Sequence, residues 1–296
     1  MNNQKNIPEL RFSEFTEEWE SKKLGEVAEF LDGKRKPIKE SDRAKIKGKY
    51  PYYGASGIID YINDFIFDED IILLGEDGEN IISRNLPLAF RVTGKCWINN
   101  HAHVIKPSHN TDISFLTYCL ERISYLQYNT GTAQPKLNQE VCKGITIEFP
   151  SLPEQTKIAT FLTAIDEKLQ ALKKKKALLE QYKKGVMQAI FSQQLRFKDD
   201  NGGDYPAWER KKLGEISEIK KGEQLNVTEL TEIGLYPALN GGINPSGYTS
   251  NWNTEANTIS ISEGGNSCGY VNFNIDRFWS GGHCYSLINI DSTINV

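Results

Sequence analysis

The feature that most constrains this chain is an internal repeat. The pattern Arg-Phe, followed by Trp-x4-Leu-Gly-Glu, occurs in residues 11–26 and again in residues 196–215. The second copy carries four extra residues around the turn-like segment 200–203, which reads Asp-Asn-Gly-Gly. The repeat predicts two related modules, and two related modules predict two objects to bind.

The length supports this organisation, because 296 residues are enough for two domains that each bury a core. The formal net charge of −4 argues against a compact, uniformly basic nucleic-acid binder, unless basic residues are concentrated locally. The five cysteines include no Cys-x-x-Cys pair, which argues against a disulfide framework and against a zinc finger.

The sequence shows no targeting segment. Residues 1–5 are polar and lack the apolar core of a signal peptide, and no segment approaches the roughly 18 apolar residues of a membrane span. These features predict a cytoplasmic protein with reduced thiols and without membrane association.

Short apolar runs bounded by glycine, proline and aspartate predict strands in the first module, at residues 71–74, 88–92 and 103–105. Residues 114–123 place apolar side chains at helical spacing and predict a helix. The module is therefore expected to be mixed and mainly β.

The two copies stay aligned further along the chain. Residues 50–51 match 236–237, residues 72–78 match 259–265, and residues 96–101 match 278–283. The positions between them differ widely, which favours a shared fold that presents two different binding surfaces. The alternative, that the repeat serves architecture alone, stays open.

A long helix is predicted between the modules. Pro153 suits the first helical position, and Glu154 adds a negative charge to the first turn. A helix over residues 153–192 would span about 60 Å, and its apolar residues alternate at spacings of four and three, as in a coiled coil. The predicted subunit-interface residues of this seam are Ile158, Leu162, Ile165, Leu169, Leu172, Leu179, Val186 and Ile190.

An apolar stripe of this length needs a partner helix, because it would otherwise face water. By the logic of the repeat, the partner should follow the second module, yet residue 296 corresponds to a point near residue 113 of the first copy. We therefore expect either a truncated product or a seam that another molecule fills, with self-association among the options.

Three segments together resemble the specificity subunit of type I restriction-modification systems. They are the module opening at 19–26 and 208–215, the module closing Gly-Thr-Ala-Gln-Pro-Lys-Leu at 131–137, and the junction Phe-Pro-Ser-Leu-Pro-Glu-Gln-Thr-Lys-Ile-Ala at 149–159. The resemblance covers nearly the whole chain. It departs from the family pattern at the C-terminus, where a full-length member would continue for roughly eighty residues, so the chain resembles a C-terminally truncated subunit.

The resemblance implies an α+β fold, with two repeated, mixed but mainly β target recognition domains separated by a long coiled-coil spacer helix. Residues 1–150 would form the first domain, residues 151–193 the spacer, and residues 194–296 an incomplete second domain. It also implies a non-catalytic chain that reads a bipartite target in double-stranded DNA. Such a chain positions methyltransferase (M) subunits for adenine methylation and restriction/translocase (R) subunits for cleavage. S-adenosylmethionine, ATP and Mg would serve those partners, and neither a cofactor nor a metal is expected in this chain.

Basic and polar loop residues are the candidates for DNA contacts. The glycine-turned segment 32–37 suits phosphates, Arg35 could reach a guanine edge, and Gln134 has the amide geometry for adenine. The full set is Lys34, Arg35, Lys36, Lys45, Lys47, Lys49, Asn99, Asn100, His101, Thr132, Gln134, Lys136, Lys220, Lys221, Gln224 and His283. The alternatives are a solvated loop for residues 32–49, a structural turn for 131–136, and ordinary loop capping for 99–101.

Two residue pairs have other interpretations. On a strand, His101 and His103 would share a face, and a metal site with Cys96 is conceivable, but the second copy lacks the second histidine. Trp19 and Trp208 are expected in the module cores.

Two other functional classes stay open. An enzyme acting alone would need a cofactor motif, and the sequence has no Walker A motif, no glycine-rich nucleotide-binding turn and no Asn-Pro-Pro-aromatic adenine pocket. A truncated assembly subunit that binds the methyltransferase without full DNA recognition is the nearer alternative.

Overall fold

The structure, a computed structural model, describes residues 7–294. The polar residues 1–5 and Val296, which entered the expectations above, lie outside the described residues. The chain divides into two compact units, Met1–Ser192 and Gln193–Val296, and the long helix belongs to the first.

The first unit combines short strands and helices with one long helix. Its strands are β1 (Glu20–Lys23), β2 (Ala28–Phe30), β3 (Lys47–Gly54), β4 (Gly57–Ile62), β5 (Phe67–Asp68), β6 (Ile71–Gly75), β7 (Ala89–Val92), β8 (Lys95–Ile98), β9 (Ala102–Pro107) and β10 (Thr146–Phe149). Its helices are α1 (Leu24–Val27), α2 (Glu40–Arg43), α3 (Asn80–Ser83), α4 (Ile113–Arg122), α5 (Gln139–Lys143) and α6 (Leu152–Phe191).

Two four-stranded sheets form the body of this unit. The central sheet is antiparallel, with the order β2-β9-β6-β7. The outer sheet has the order β4-β3-β8-β5, and β3 runs parallel to β8 within it. A separate antiparallel pair, β1 with β10, joins the opening of the module to its end.

Strand β6 is buried along its whole length because both faces of the central sheet are covered. Ile72 and Leu74 belong to the cluster that includes residues of α4 and α5, while Ile71 and Leu73 belong to the cluster shared with the outer sheet. A strand buried on both faces is continuously apolar, as the sequence shows here. The predicted helix at 114–123 is confirmed as α4.

Helix α6 confirms the predicted spacer helix. It has 40 residues and begins at Leu152 after the N-cap Ser151, so Pro153 occupies the second helical position and not the first. Glu154, Gln155 and Ala159 are buried against the unit, whereas most of the later turns are exposed.

The Arg-Phe and Trp residues of the first repeat anchor α6. Arg11 donates to both carboxylate oxygens of Glu154 at 2.7 and 2.6 Å, and the indole Nε1 of Trp19 donates to the same side chain at 3.2 Å. The ring of Phe12 packs edge-on against Phe161, with centroids 5.8 Å apart. The repeated motif therefore holds the start of the spacer helix in place.

The second unit repeats both sheets. Its elements are α7 (Leu213–Ile216), β11 (Glu218–Lys221), β12 (Tyr236–Leu239), β13 (Gly247–Thr249), β14 (Thr258–Ser262), β15 (Val271–Asn274), β16 (Trp279–Ser280) and β17 (Cys284–Ile288). The order β11-β17-β14-β15 corresponds to β2-β9-β6-β7, and β13-β12-β16 corresponds to β4-β3-β8 with the same parallel pair. The alignment of the two sequence copies thus holds at the level of strand order.

The central sheet of the second unit is less covered. Ile259 and Ile261 are half-buried, and Val271 on the neighbouring strand is 58% exposed, although the equivalent face of the first unit is covered by α4. The inner face carries buried Ser260 and Ser262 where the first unit has Leu73 and Gly75.

Leu287, on the strand β17 that pairs with β11 and β14, is only 6% exposed. One expectation for this unit was wrong. Trp208 is 49% exposed and does not lie in a core, whereas Trp19 is half-buried against Phe115.

Candidate nucleic-acid interface

The structure brings three predicted segments of the first unit together at one edge of the central sheet. They are the loop 32–37 after β2, the turn 99–101 between β8 and β9, and the loop 131–136. Segment 76–78, which directly follows β6, contacts each of them through hydrogen bonds, an ion pair or a backbone bridge. We call this group of four segments the loop surface.

The loop 32–37 is fixed to strand β8. The indole Nε1 of Trp97 donates to the carbonyl oxygen of Lys36 at 2.6 Å, and the Lys36 amide donates to the carbonyl oxygen of Ile98 at 3.3 Å. Lys34 and Lys36 are exposed, and neither forms an ion pair with another residue of the described range 7–294. Both can therefore meet a phosphate without breaking an internal contact.

Arg35 differs from these two lysines, because its guanidinium lies inside the loop surface. It donates to Glu76 at 2.6 Å and to the carbonyl oxygen of Ala102 at 2.8 Å, and it lies 3.4 Å from the carboxylate of Asp32. Its side chain is only 14% exposed. This conformation suits a residue that supports the loop, and reaching a guanine edge would require these contacts to break.

The loop 131–136 is a tight turn closed by the side chain of Asn129. The side-chain oxygen of Asn129 accepts from the amides of Gly131 and Lys136 at 3.0 and 2.9 Å. A side chain at position 131 would meet the carbonyl oxygen of Gln134 at 1.8 Å, which explains the glycine. Thr132 and Gln134 are exposed at the tip, where a base edge could be reached.

The turn 99–101 contains one buried residue and two exposed residues. Asn99 is buried, and its side-chain oxygen accepts from the amide of His101 at 2.8 Å. Asn100 and His101 are exposed, and His101 lies 2.8 Å from the carboxylate of Asp77. His103 is buried in β9 and does not share an exposed face with His101, so the metal site considered from their spacing does not form.

Lys45, Lys47 and Lys49 lie away from the loop surface. Lys47 is the first residue of β3, whereas the β3 residue that touches the loop surface is Tyr53, near its other end. Lys45 pairs with Asp42, Lys47 pairs with Asp60, and the Lys49 ammonium lies 5.3 Å from the ring centre of Tyr50. A DNA contact by these lysines stays a prediction, separate from the loop surface.

A buried charged group supports the loop surface from below. Nδ1 of His103 lies 2.6 Å from the Asp32 carboxylate, and Nε2 lies 2.8 Å from the carbonyl oxygen of Leu137. Because a carbonyl oxygen and a carboxylate only accept, both ring nitrogens carry protons and the ring is a cation. Burial alone would lower the pKa of His103, but its hydrogen bonds with Asp32 and Cys142 raise that pKa to about 10. The His103 cation thereby links Asp32 of the loop 32–37 to Leu137, which directly follows the loop 131–136.

Asp32, Glu76 and His103 are close enough to hold a metal ion, since their ligand atoms lie within 4.8 Å of one another. The charges argue against this use. Arg35 and Lys136 pair with Glu76 at 2.6 and 3.3 Å, and both nitrogens of His103 are engaged as donors. The group is therefore an ion-pair network in which the cations Arg35, Lys136 and His103 already occupy the two carboxylates.

The second unit carries a related arrangement. Glu263 accepts from Lys221 at 2.7 Å and from the Tyr285 hydroxyl at 2.8 Å, and these hydrogen bonds hold the pKa of its carboxyl below the ordinary value. His283 lies 3.6 Å from the same carboxylate. Lys220 and Gln224 are exposed nearby in the chain. Trp279 donates to the carbonyl oxygen of Glu223 at 2.8 Å, which repeats the bond of Trp97.

The predicted interface residues of α6 fall into two groups. Ile158 packs on the core of the unit, and Leu162, Val186 and Ile190 are half-buried. The central residues are exposed by 46 to 55%: Ile165, Leu169, Leu172 and Leu179. Within the described part of the chain, the middle of α6 therefore offers an apolar strip to another molecule.

The sequence reasoning missed Asp32, Glu76, His103 and Glu263 as supporting residues. A signal existed for Glu76 and Glu263, because both follow the aligned central strand in the two copies. The signal was weak, since an acidic residue in a turn is common and its basic partners lie far away in sequence.

Comparisons with known proteins show which family the chain belongs to. The family described as Type I restriction modification DNA specificity domain matches residues 16–181 and 206–296. The chain belongs to this family. Among curated specificity-domain relatives, the MjaVIII type I restriction enzyme specificity subunit of Methanocaldococcus jannaschii is 28% identical over 250 residues, which are 78% of this chain and 57% of the relative.

The chain is also similar to two other proteins. A provisionally named type I restriction enzyme specificity subunit of Haemophilus influenzae is 34% identical over 148 residues, which are 50% of this chain and 37% of that protein. The crystal structure of the type I restriction-modification S subunit from M. genitalium shares the fold, with a TM-score of 0.63 and 20% identity over 97% of this chain and 76% of that one. The chain thus spans 37% and 57% of the lengths of these two curated relatives.

The described part of this specificity-family chain contains no helix that is long and apolar enough to cross a membrane. Helix α6 has the length, but charged residues interrupt its apolar strip.

Proposed function

We propose that this chain is a non-catalytic DNA-recognition subunit of a type I restriction-modification complex, and that each unit reads one half of a bipartite target. The observation that carries the proposal is the loop surface, which gathers exposed Lys34, Lys36, Thr132, Gln134 and Lys136 from distant parts of the sequence. Lysines position a phosphate backbone, while an amide at a tight turn can read a base edge.

The local concentration of basic groups answers the objection raised by the overall negative charge. Only the surface that meets the duplex needs to be basic, and partner subunits can supply further phosphate contacts. The two units share the hydrogen bonds that fix their loops, but the exposed residues of those loops differ. This combination supports the recognition of two different half-sites. The proposed candidates in the second unit are Lys220, Lys221, Gln224 and His283.

The proposed partners are double-stranded DNA, methyltransferase subunits and restriction/translocase subunits. S-adenosylmethionine, ATP and Mg are proposed for those partners and not for this chain. The exposed strip of α6 is the proposed docking surface for a helix of the complex or of a second copy. The length of α6 is proposed to set the number of unspecified base pairs between the half-sites, one helical turn of protein corresponding to about 5.4 Å.

A second candidate function is an assembly subunit that binds the methyltransferase without full DNA recognition. The less covered central sheet of the second unit favours it, because a module with exposed apolar strand residues such as Val271 and Phe273 is less suited to rigid base readout. Sequence-specific DNA binding separates the two candidates.

The test is to map methylated adenines in DNA from cells with and without the chain, alongside its methyltransferase subunits. We expect a two-part motif that depends on the chain. Gln134→Ala should reduce discrimination between bases in the first half of the motif by about 1–3 kcal/mol per contacted base. Gln224→Ala should reduce discrimination only in the second half. Lys34→Ala with Lys36→Ala should weaken binding to all sequences alike. Methylation that needs the chain but shows no motif would favour the assembly subunit.

A further inference from the structure

Glu76 and Glu263 occupy equivalent places in the two units. Each directly follows the central strand of its sheet, β6 or β14. The amide of Glu76 donates to the carbonyl oxygen of His101 at 2.9 Å, and the amide of Glu263 donates to that of His283 at the same distance. The equivalence therefore holds in sequence, in strand register and in backbone hydrogen bonding.

The two oxygens of Glu76 have different partners. Oε2 accepts from Arg35 at 2.6 Å and lies 3.8 Å from His103, both of which are largely buried beneath the loops. Oε1 lies 3.3 Å from the ammonium of Lys136, whose side chain is 48% exposed. One carboxylate thus joins the buried support of the loop surface to an exposed cation on it.

Both oxygens of Glu263 also have partners. Oε1 accepts from Lys221 and from the Tyr285 hydroxyl, which belong to strands of the central sheet. Oε2 lies 3.6 Å from Nδ1 of His283, whose side chain is 65% exposed. The Lys221 side chain is itself 55% exposed, so the two units share a glutamate with both oxygens paired, while only Glu76 has a buried partner side.

We propose that Glu76 and Glu263 are positioning residues for specificity, each holding the basic side chains of one module in the geometry that reads one half-site. This inference rests on the proposed function. Glu76 acts through Arg35 and Lys136 in the first unit, and Glu263 acts through Lys221 and His283 in the second. Neither glutamate is placed to touch a base, because both oxygens of each are already paired and the two side chains are only 13% and 28% exposed.

The direction of the change in DNA binding distinguishes a positioning role from a merely structural one. Replacing a glutamate with glutamine removes one negative charge and releases the neighbouring cations. Attraction to any DNA should therefore stay constant or increase, while discrimination between bases should decrease, because the released side chains no longer have one fixed geometry. A residue that only maintains the fold would weaken specific and non-specific binding together.

The experiment uses the full chain assembled with its methyltransferase subunits, after the methylation motif of the wild-type complex has been mapped. DNA duplexes carry the motif, single-base changes in either half, or neither half. For Glu76→Gln we expect discrimination against first-half changes to fall by about tenfold, within the range of one base contact. Second-half discrimination should be unchanged, and binding to DNA without the motif should be equal or stronger. Glu263→Gln should reduce second-half discrimination and leave first-half discrimination unchanged.

Matched controls lie at the other ends of the same two strands. Glu69 precedes β6 and pairs with Lys106, and Glu255 precedes β14 and pairs with Arg277. Glu69→Gln and Glu255→Gln make the same charge change and should retain discrimination in both halves. The unfolding midpoint of every variant is measured beside binding.

Unchanged discrimination in Glu76→Gln and Glu263→Gln would overturn the inference, as would loss in both halves from either variant. So would a parallel loss of specific and non-specific binding with a lowered unfolding midpoint, since that indicates a structural role. A wild-type complex that shows no sequence preference would instead overturn the proposed function, and the inference with it.

Discussion

The indole of Trp97 donates to the backbone carbonyl of Lys36 across 61 positions of the sequence, at a distance of 2.6 Å. Trp279 makes the equivalent bond to Glu223 in the second unit at 2.8 Å. Trp97 lies on β8 and Trp279 on β16, which run parallel to β3 and β12 in the outer sheets. In both units, this tryptophan fixes the loop that follows the first strand of the central sheet. In the first unit, the bond holds the loop that carries the exposed Lys34 and Lys36.

Replacing Trp97 with phenylalanine removes this donor and keeps an aromatic ring. Because Lys36 is exposed, water can replace the lost bond, and we expect a cost in global stability of at most about 1 kcal/mol. The local effect should be larger, with faster amide exchange in residues 33–36. Trp279→Phe is the matched variant, and it should leave 33–36 unchanged. Exchange rates in 33–36 that match the wild type in Trp97→Phe would show that the loop is held by other contacts.

The exposed strip of α6 makes a prediction about assembly. Changing Ile165, Leu169 and Leu172 together to lysine should abolish self-association or subunit assembly, because charges at a helix seam prevent its burial. The first unit should remain folded, since these side chains are exposed within it.

The control for this prediction uses the opposite face of α6. Glu167→Lys with Gln170→Lys adds the same three positive charges, and at 100° per residue both positions lie away from the strip. Light scattering of the chain alone and with its partner subunits gives the assembled mass. An unchanged mass for the triple variant would rule out the strip as the interface.

The buried cation His103 makes the stability of the first unit dependent on pH. Its pKa is about 10 in the folded state and 6.5 ordinarily, so above pH 6.5 the folded state binds more protons than the unfolded state. The free energy of unfolding should therefore be highest below about pH 6.5 and fall towards pH 10, by at most about 1.4 kcal/mol per pH unit.

Urea unfolding of the wild type and of His103→Gln across this range measures the effect. The stability difference between them should shrink as pH rises. Asp32→Asn removes the carboxylate that stabilises the cation and should reduce the same pH dependence. A stability difference that stays constant from pH 6.5 to 10 would show that His103 is neutral in the folded protein.

The central strands of the two units should differ in protection from hydrogen exchange. Ile71–Leu74 in β6 are fully buried, whereas Ile259 and Ile261 in β14 are half-buried. Amides in β14 should therefore exchange faster, because local opening exposes less new apolar surface. Ile72→Val should cost about 0.5–1.5 kcal/mol and Ile259→Val less. Equal protection in the two strands would mean that the second unit is stabilised in another way.

The sequence by itself determined the repeat, the mainly β modules and the long helix. Each depends on local patterns, such as the apolar run at 71–74 and the spacing from Ile158 to Leu172. It also placed the three loop segments that carry Lys34, Asn100 and Gln134. These signals are readable because period, turn residues and caps act over a few positions of the chain.

Only the tertiary structure decided which candidates face outwards. Arg35 and Asn99 were predicted to meet DNA by residue type, but the fold turns both inwards, towards Glu76 and the amide of His101. The supporting group of Asp32, Glu76 and His103 was equally hidden, since its members are separated by up to 71 positions and meet at a sheet edge. Residue type fixes what a side chain can bond to, whereas strand order and register fix what it meets, and that pairing decides between a surface contact and an internal one.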